Sequence, residues 1–144
     1  MNYTTNNMVI TSKHVNELLL DEITGLIQNE GSMINLDRND VKTILVGKEG
    51  VLYQAVQDEG MDNSTFMNDF FNELKKKEEV RTCNSMLISI GMSQDSPLMM
   101  EDMEIIHDFF DSFDNDNLEA KWGVKNNEEG MRMTLLSICT KAAT

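Results

Sequence analysis

The segment SMLISIGMS, residues 85–93, is the feature that most constrains the fold of this chain. Every second residue in it is apolar, a pattern that predicts a β-strand with one buried face. Amphipathic helical patterns lie on both sides of it, over residues 62–79 and 95–113. A strand between two such helices indicates a mixed α/β fold in which helices cover a sheet. The apolar face of the strand consists of Met86, Ile88, Ile90 and Met92.

The rest of the chain also divides into helical and strand patterns. Apolar residues recur at helical spacing from residue 12 to residue 29, which predicts a long N-terminal helix, and residues 39–47 predict a short one. GVLYQAV, residues 50–56, is a β-branched and aromatic run of strand length. Residues 118–140 predict two more strands with a turn at NNEEG, so we expect the chain to end in an antiparallel hairpin.

These elements predict one architecture. We expect an α/β (α+β) fold: a two-layer sandwich in which helices pack on a four-stranded mixed sheet, preceded by the long N-terminal helix. The chain of 144 residues has the usual size of one compact domain. In the helix over 95–113, Ser96 as N-cap and Pro97 at the first helical position predict where the helix begins.

Composition excludes several partners. A formal net charge of −13 at pH 7 repels phosphate backbones and anionic lipid, so we expect neither nucleic acid nor a membrane surface as partner. No apolar run approaches a membrane span, and the polar lead-in after Met1 has no secretory leader pattern. Cys83 and Cys139 lie in apolar runs and form no Cys-x-x-Cys unit. We therefore expect a soluble cytoplasmic protein with both thiols reduced in its core.

Familiar catalytic and cofactor motifs do not occur in the sequence. The eight glycines include no Gly-x-Gly, so we expect no phosphate-binding cradle for a nucleotide. His14 and His107 are far apart and do not have the spacing of metal ligands. No serine lies in a Gly-x-Ser-x-Gly elbow. The sequence therefore predicts no cofactor, no metal and no enzyme activity of its own.

The acidic stretch GSMINLDRNDVKT, residues 31–43, is the strongest candidate for a site. It places Asn35, Asp37 and Asp40 at the start of the predicted short helix. Carboxylates are favoured there by the helix dipole and cap free backbone amides. From the residues alone, capping is the better interpretation of the two acids, and a working site is the other.

The same stretch carries a family resemblance. INLDRNDVKTIL resembles the activating, or synergy, loop of the bacterial division GTPase FtsZ, whose pattern is Gly followed by Asn-x-Asp-x-x-Asp at the entry to a helix. SMLISIG, SPLMMEDMEIIHDFF and AKWGVKNNEEGMRMTLLSICT resemble a later strand, helix and final hairpin of that family. The resemblance implies a central-type helix at about 11–29, a synergy-type loop at 30–40 and an FtsZ C-terminal-like sandwich at 41–144. The GTP-binding half of that family has no counterpart in this sequence.

The resemblance also implies a function. In FtsZ the acidic loop residues reach into the nucleotide pocket of the next subunit and position the attacking water. Asn35, Asp37 and Asp40 match those loop positions, although one more residue than usual separates Gly31 from Asn35. The implied function is an interaction protein that docks on an FtsZ-like or tubulin-like GTPase filament and modulates it. Asp37 and Asp40 would act as catalytic acids only in trans.

Two other functions remain open. The broad apolar face of the predicted 12–29 helix favours a self-associating structural module, a homo-oligomer joined through that helix, because exposed apolar surface seeks a partner. A small-molecule-binding or enzymatic α/β sandwich is the third possibility, because fold does not fix function. That third function predicts a deep, charged pocket away from residues 35–40.

Overall fold

The computed structural model describes residues 8–27, 36–113 and 117–143. Within these residues the strands are β1 (Ile10–Asn16), β2 (Lys48–Val56), β3 (Ser85–Met92), β4 (Glu119–Asn126) and β5 (Thr134–Ala142). The helices are α1 (Leu20–Ile27), α2 (Arg38–Leu45), α3 (Asn63–Lys75), α4 (Glu78–Arg81) and α5 (Met100–Asp111). A short 3-10 turn, Glu17–Leu19, joins β1 to α1.

All five strands belong to one mixed sheet in the order β1-β2-β5-β3-β4. The pairs β1–β2, β2–β5 and β5–β3 are antiparallel, whereas β3 and β4 are parallel. The two edges of the sheet are therefore β1 and β4. The predicted sheet of four strands was one strand too small, and the strand that it lacked is β1.

Helices cover both faces of this sheet, so the fold has three layers and not the predicted two. The α/β class is compatible with the structure, but every residue of β3 is buried, as expected of a strand covered on both sides. On one face, α3 and α5 cover the larger core, which includes Phe66, Phe70, Leu74, Ile88, Ile106 and Phe109. On the other face, α1 and α2 cover a smaller core, which includes Ile23, Val41, Leu45, Leu87, Leu136 and Ile138.

The predicted long helix over residues 12–29 is wrong in its first half. Residues 10–16 form β1, which pairs with β2 from Ile10 opposite Ala55 to Asn16 opposite Glu49. The spacing of apolar residues does not show whether a segment can pair with the edge of a sheet. Pairing with β2 decides the conformation of residues 10–16. Residues 28–29 of the predicted helix lie outside the described residues.

Because residues 10–16 form a strand and α1 begins only at Leu20, the broad apolar helix face that was expected to join two copies does not form. The side chain of Asn16 accepts a hydrogen bond from the N–H of Leu18 at 2.9 Å and so starts the 3-10 turn. Ile23 and Ile27 of α1 are buried within the chain, in the smaller core. A homo-oligomer through a continuous 12–29 helix is therefore not supported by this structure.

The predicted terminal hairpin is also wrong, because β3 lies between β4 and β5. Buried Asn127 holds the crossing: its side-chain amide donates to the carbonyl oxygens of Gly91 at 3.0 Å and Arg132 at 2.9 Å. Its backbone N–H donates to the carbonyl of Met92 at 2.9 Å. The chain reverses direction at NNEEG as expected, but a turn sequence does not show whether another strand lies between the two strands that it joins.

Helix α5 begins three residues later than Pro97 predicts, at Met100. Its first turn is held by buried Asp102, whose Oδ2 accepts a hydrogen bond from the N–H of Met99 at 2.9 Å. Asp102 Oδ1 accepts a second hydrogen bond, from the hydroxyl of Ser64 in α3, at 2.8 Å. The hydrogen bonds of Asp102, one of which connects α5 to α3, outweigh the local preference for a helix start at Ser96.

Candidate functional site

The two acids of the candidate site lie at the N-terminus of α2. Asp37 is the N-cap residue in an extended conformation, with φ −120° and ψ −179°. Its Oδ1 accepts a hydrogen bond from the backbone N–H of Asp40 at 3.0 Å, and Asp40 Oδ2 accepts one from the N–H of Asp37 at 2.9 Å. This reciprocal capping box satisfies backbone donors that a helix start leaves free. The capping role predicted from the residues is confirmed.

Asp40 is further engaged by a lysine from the far end of the chain. Its Oδ1 accepts a hydrogen bond from Lys121 Nζ of β4 at 2.6 Å, and its side chain is only 14% exposed. Burial raises the pKa of Asp40, but the Lys121 hydrogen bond and charge, with the N–H of Asp37, outweigh burial and leave the pKa below its ordinary value. Both carboxylate oxygens are thus committed within the chain, and Asp40 ties α2 to β4.

Asp37 differs from Asp40 in its surroundings. Asp37 is exposed, and no residue of the described part of the chain forms a salt bridge with it. The neighbouring Arg38 is directed elsewhere, with its Nε 3.1 Å from Asp21 Oδ1 on α1. Asp37 therefore presents its carboxylate to solvent at the tip of α2. Asn35, the third residue of the predicted site, lies outside the described residues.

A narrow cavity of about 40 Å³ lies beside Asp40, between α2 and the strands β3 and β4. Its volume is far below that of a site for a drug-sized ligand. Asp40 faces it already bound to Lys121, and Glu119 of β4 is the second acid of its lining. Its lining consists of Asp40, Thr43, Ile44, Ser85, Leu87, Glu119 and Lys121.

A larger cleft of about 260 Å³ lies at the ends of α3 and α5, and Lys75, Arg81, Ser112 and Phe113 are among its lining residues. It is charged and lies across the sheet from Asp37 and Asp40, in line with the small-molecule hypothesis. However, Arg81 Nη1 donates to the carbonyl of Lys75 at 3.0 Å, and Ser112 Oγ donates to the carbonyl of Phe109 at 2.6 Å. Among the described residues that line this cleft, no nucleophile has an adjacent base.

The two histidines lie in separate, structural positions. His14 Nε2 of β1 is 3.7 Å from Glu49 Oε1 on the surface of the sheet. His107 of α5 meets Trp122 edge-on, with 6.0 Å between the ring centroids. In the three described segments, no group of three or more His, Cys, Asp or Glu residues is placed to hold a metal ion. No described helix combines the length and hydrophobicity needed to cross a bilayer.

Lys121 is the residue of the site that the sequence did not reveal. It stands 81 positions from Asp40 and sits in an alternating strand pattern, where a lysine marks only a solvent-facing position. Only the parallel pairing of β4 with β3 brings it beside α2. No local signal identifies such a pair, because the chain contains many acids and lysines and their separation in sequence does not show which of them meet.

Known proteins resemble the chain in structure and not in sequence. No protein-family model matches it, and no curated protein matches it. Among solved structures, it is similar to "FtsZ dimer, empty (M. jannaschii)", with a TM-score of 0.61 and 18% sequence identity. The match covers 86% of this chain and 37% of the other, so the chain spans well under half of that protein. At this identity the similarity shows the fold alone, and the fold of this chain is that of an FtsZ/tubulin-like C-terminal domain.

Proposed function

We propose that this chain is an interaction module that docks on an FtsZ-like or tubulin-like GTPase and modulates its filament through the exposed acid at the tip of α2. The observation that carries the proposal is Asp37, which stands exposed and without a described salt bridge on a domain of FtsZ-like fold. The acidic loop's resemblance to the FtsZ synergy loop points to the same surface. The module has no nucleotide-binding motif of its own.

The two acids contribute unequally in this proposal. Asp40 positions the tip of α2, because its oxygens hold the N–H of Asp37 and the ammonium of Lys121. Asp37 is the contact residue, since its carboxylate is open to solvent while it caps the helix. A direct role for Asp40 in a partner's nucleotide pocket requires that the bond to Lys121 first be broken. Of the two acids proposed to act in trans, Asp37 is therefore the one that a partner can reach without breaking a salt bridge to Lys121.

The test mixes the chain with a polymerising FtsZ from the same source and measures GTP turnover and sedimented polymer. Asp37→Asn removes the charge and keeps a good N-cap, whereas Asp37→Ala removes both. Asp111→Asn is the matched control, because Asp111 is an exposed acid at the end of α5, on the opposite layer. We expect the wild type and Asp111→Asn to change turnover or polymer mass, and both Asp37 variants to lose the effect.

Two results would contradict the proposal. One is a wild-type chain that alters neither turnover nor polymer mass at equimolar concentration. The other is an Asp37→Asn variant that acts as strongly as the wild type while Asp37→Ala does not. That second pattern would mean that the folded cap matters and the carboxylate does not.

A further inference from the structure

In the part of the chain that the structure describes, β4 is an edge strand of the sheet. On its inner side, the N–H of Glu119 donates to the carbonyl of Asn84 and the N–H of Asn127 to that of Met92, both at 2.9 Å. Odd-numbered residues of β4 therefore direct their backbone groups toward β3, and even-numbered residues direct theirs outward. No described residue pairs with this outer side, which is a template for another strand. The outward residues at its centre are Ala120, Trp122 and Val124.

We propose that β4 pairs antiparallel with β4 of a second copy of this chain, joining two five-stranded sheets into one. In the register centred on Trp122, the two Trp122 residues lie opposite each other and Ala120 lies opposite Val124. These are the residues whose N–H and C=O groups point outward, so each opposite pair exchanges both of its hydrogen bonds. A two-fold axis through Trp122 makes the contact closed and self-complementary.

Charge selects this register over its neighbours. Centred on Trp122, Glu119 of each copy lies opposite Lys125 of the other, so two attractive pairs form. Centring the pairing on residue 121 sets Lys121 opposite Lys121, and centring it on residue 123 sets Lys121 opposite Lys125. Like charges directly opposite each other destabilise an antiparallel pair. Registers centred further from the middle of β4 shorten the paired stretch.

Both lysines of β4 are held by partners on the α1–α2 face of the sheet. Lys121 Nζ is bound to Asp40, and Lys125 Nζ donates to the carbonyl of Leu26 at 2.7 Å, so both ammonium groups are held over the α1–α2 face. On the other face, half-buried Trp122 packs on the larger core and would lie opposite its copy, and cross-strand aromatic pairs stabilise sheets. The outer edge of β1 is less suited to such a dimer, because antiparallel pairing of β1 with its copy about the centre of the strand places Lys13 opposite Lys13.

Light scattering and sedimentation velocity over a range of concentrations test the dimer at physiological salt. We expect Glu119→Lys alone and Lys125→Glu alone to weaken dimerisation about tenfold or more, since each turns two attractive pairs into repulsive ones. An equimolar mixture of these two variants recovers the dimer, because the introduced charges are complementary across the two-fold axis. Trp122 is the only tryptophan, so its emission shifts to shorter wavelength as the dimer forms.

A backbone variant keeps the test independent of charge. Ala120→Pro removes an outward N–H that β3 does not use, so circular dichroism of the monomer should stay native while the dimer is lost. A wild-type chain that remains a monomer up to about 1 mM would overturn the proposal. So would a dimer that Ala120→Pro leaves intact, or a mixture of the two charge variants that stays monomeric. None of these results bears on Asp37, so they leave the proposed function to its own test.

Discussion

Replacing Asp37 separates its part in the fold from any part in binding. In Asp37→Ala the N–H of Asp40 loses the carboxylate that it meets at 3.0 Å and keeps only the carbonyl of Asp37 at 3.1 Å. Loss of an N-cap acceptor costs about 1 kcal/mol. For a domain of this size that free energy lowers the melting temperature by roughly 2–4 °C. Asp37→Asn retains an acceptor at the same position and should melt within about 1 °C of the wild type.

Thermal unfolding followed by circular dichroism measures this difference, with urea unfolding to confirm that the cooperativity is unchanged. Asp111→Asn again serves as control for the loss of one exposed acidic charge. The stabilising role of the Asp37 cap fails if Asp37→Ala melts with the wild type, because the capping box would then stabilise nothing. It also fails if Asp37→Asn is as unstable as Asp37→Ala, because charge and not hydrogen bonding would then hold the start of α2.

Two further predictions concern Asp40 and Asn127. Because the folded state lowers the pKa of Asp40, its stabilising effect is present above the unfolded pKa of about 4 and is lost as the pH falls through the folded pKa. Asp40→Asn should therefore be less stable than the wild type at pH 7 and should match it near pH 2 in urea titrations; a gap independent of pH would contradict this. Asn127→Ala takes the amide donor away from the carbonyls of Gly91 and Arg132, the first of these bonds being buried and the second partly buried, which costs about 2–4 kcal/mol in urea unfolding. A cost below about 1 kcal/mol would mean that water replaces the amide.

Local patterns predicted the elements whose conformation is set within a few residues. Strict alternation located β3, and its predicted face of Met86, Ile88, Ile90 and Met92 is buried in the larger core. Helical spacing located α3, with Phe66, Phe70 and Leu74 buried on one stripe. The acids at 37 and 40 were predicted as a cap from helix-start chemistry alone, and they form one. In each case the deciding interaction lies within one element.

The parts that could not be predicted depend on distant pairing. β1 is a strand because β2 offers an edge to it, although Val15 also fits a helical repeat with later leucines and isoleucines. β3 lies between β4 and β5 in the sheet, although it begins more than thirty positions before β4 in the sequence. Lys121 reaches Asp40 only through that arrangement. Charge and turn signals carry no information about which strands become neighbours.

The most direct test of the central claim is a binding titration. The fluorescently labelled chain is titrated with an FtsZ-like GTPase from the same source, with GTP bound, and anisotropy is followed for the wild type, Asp37→Asn and Asp111→Asn. We expect saturable binding by the wild type and Asp111→Asn, and binding at least about tenfold weaker for Asp37→Asn. Equal binding by all three chains, or no binding by the wild type, would contradict that claim.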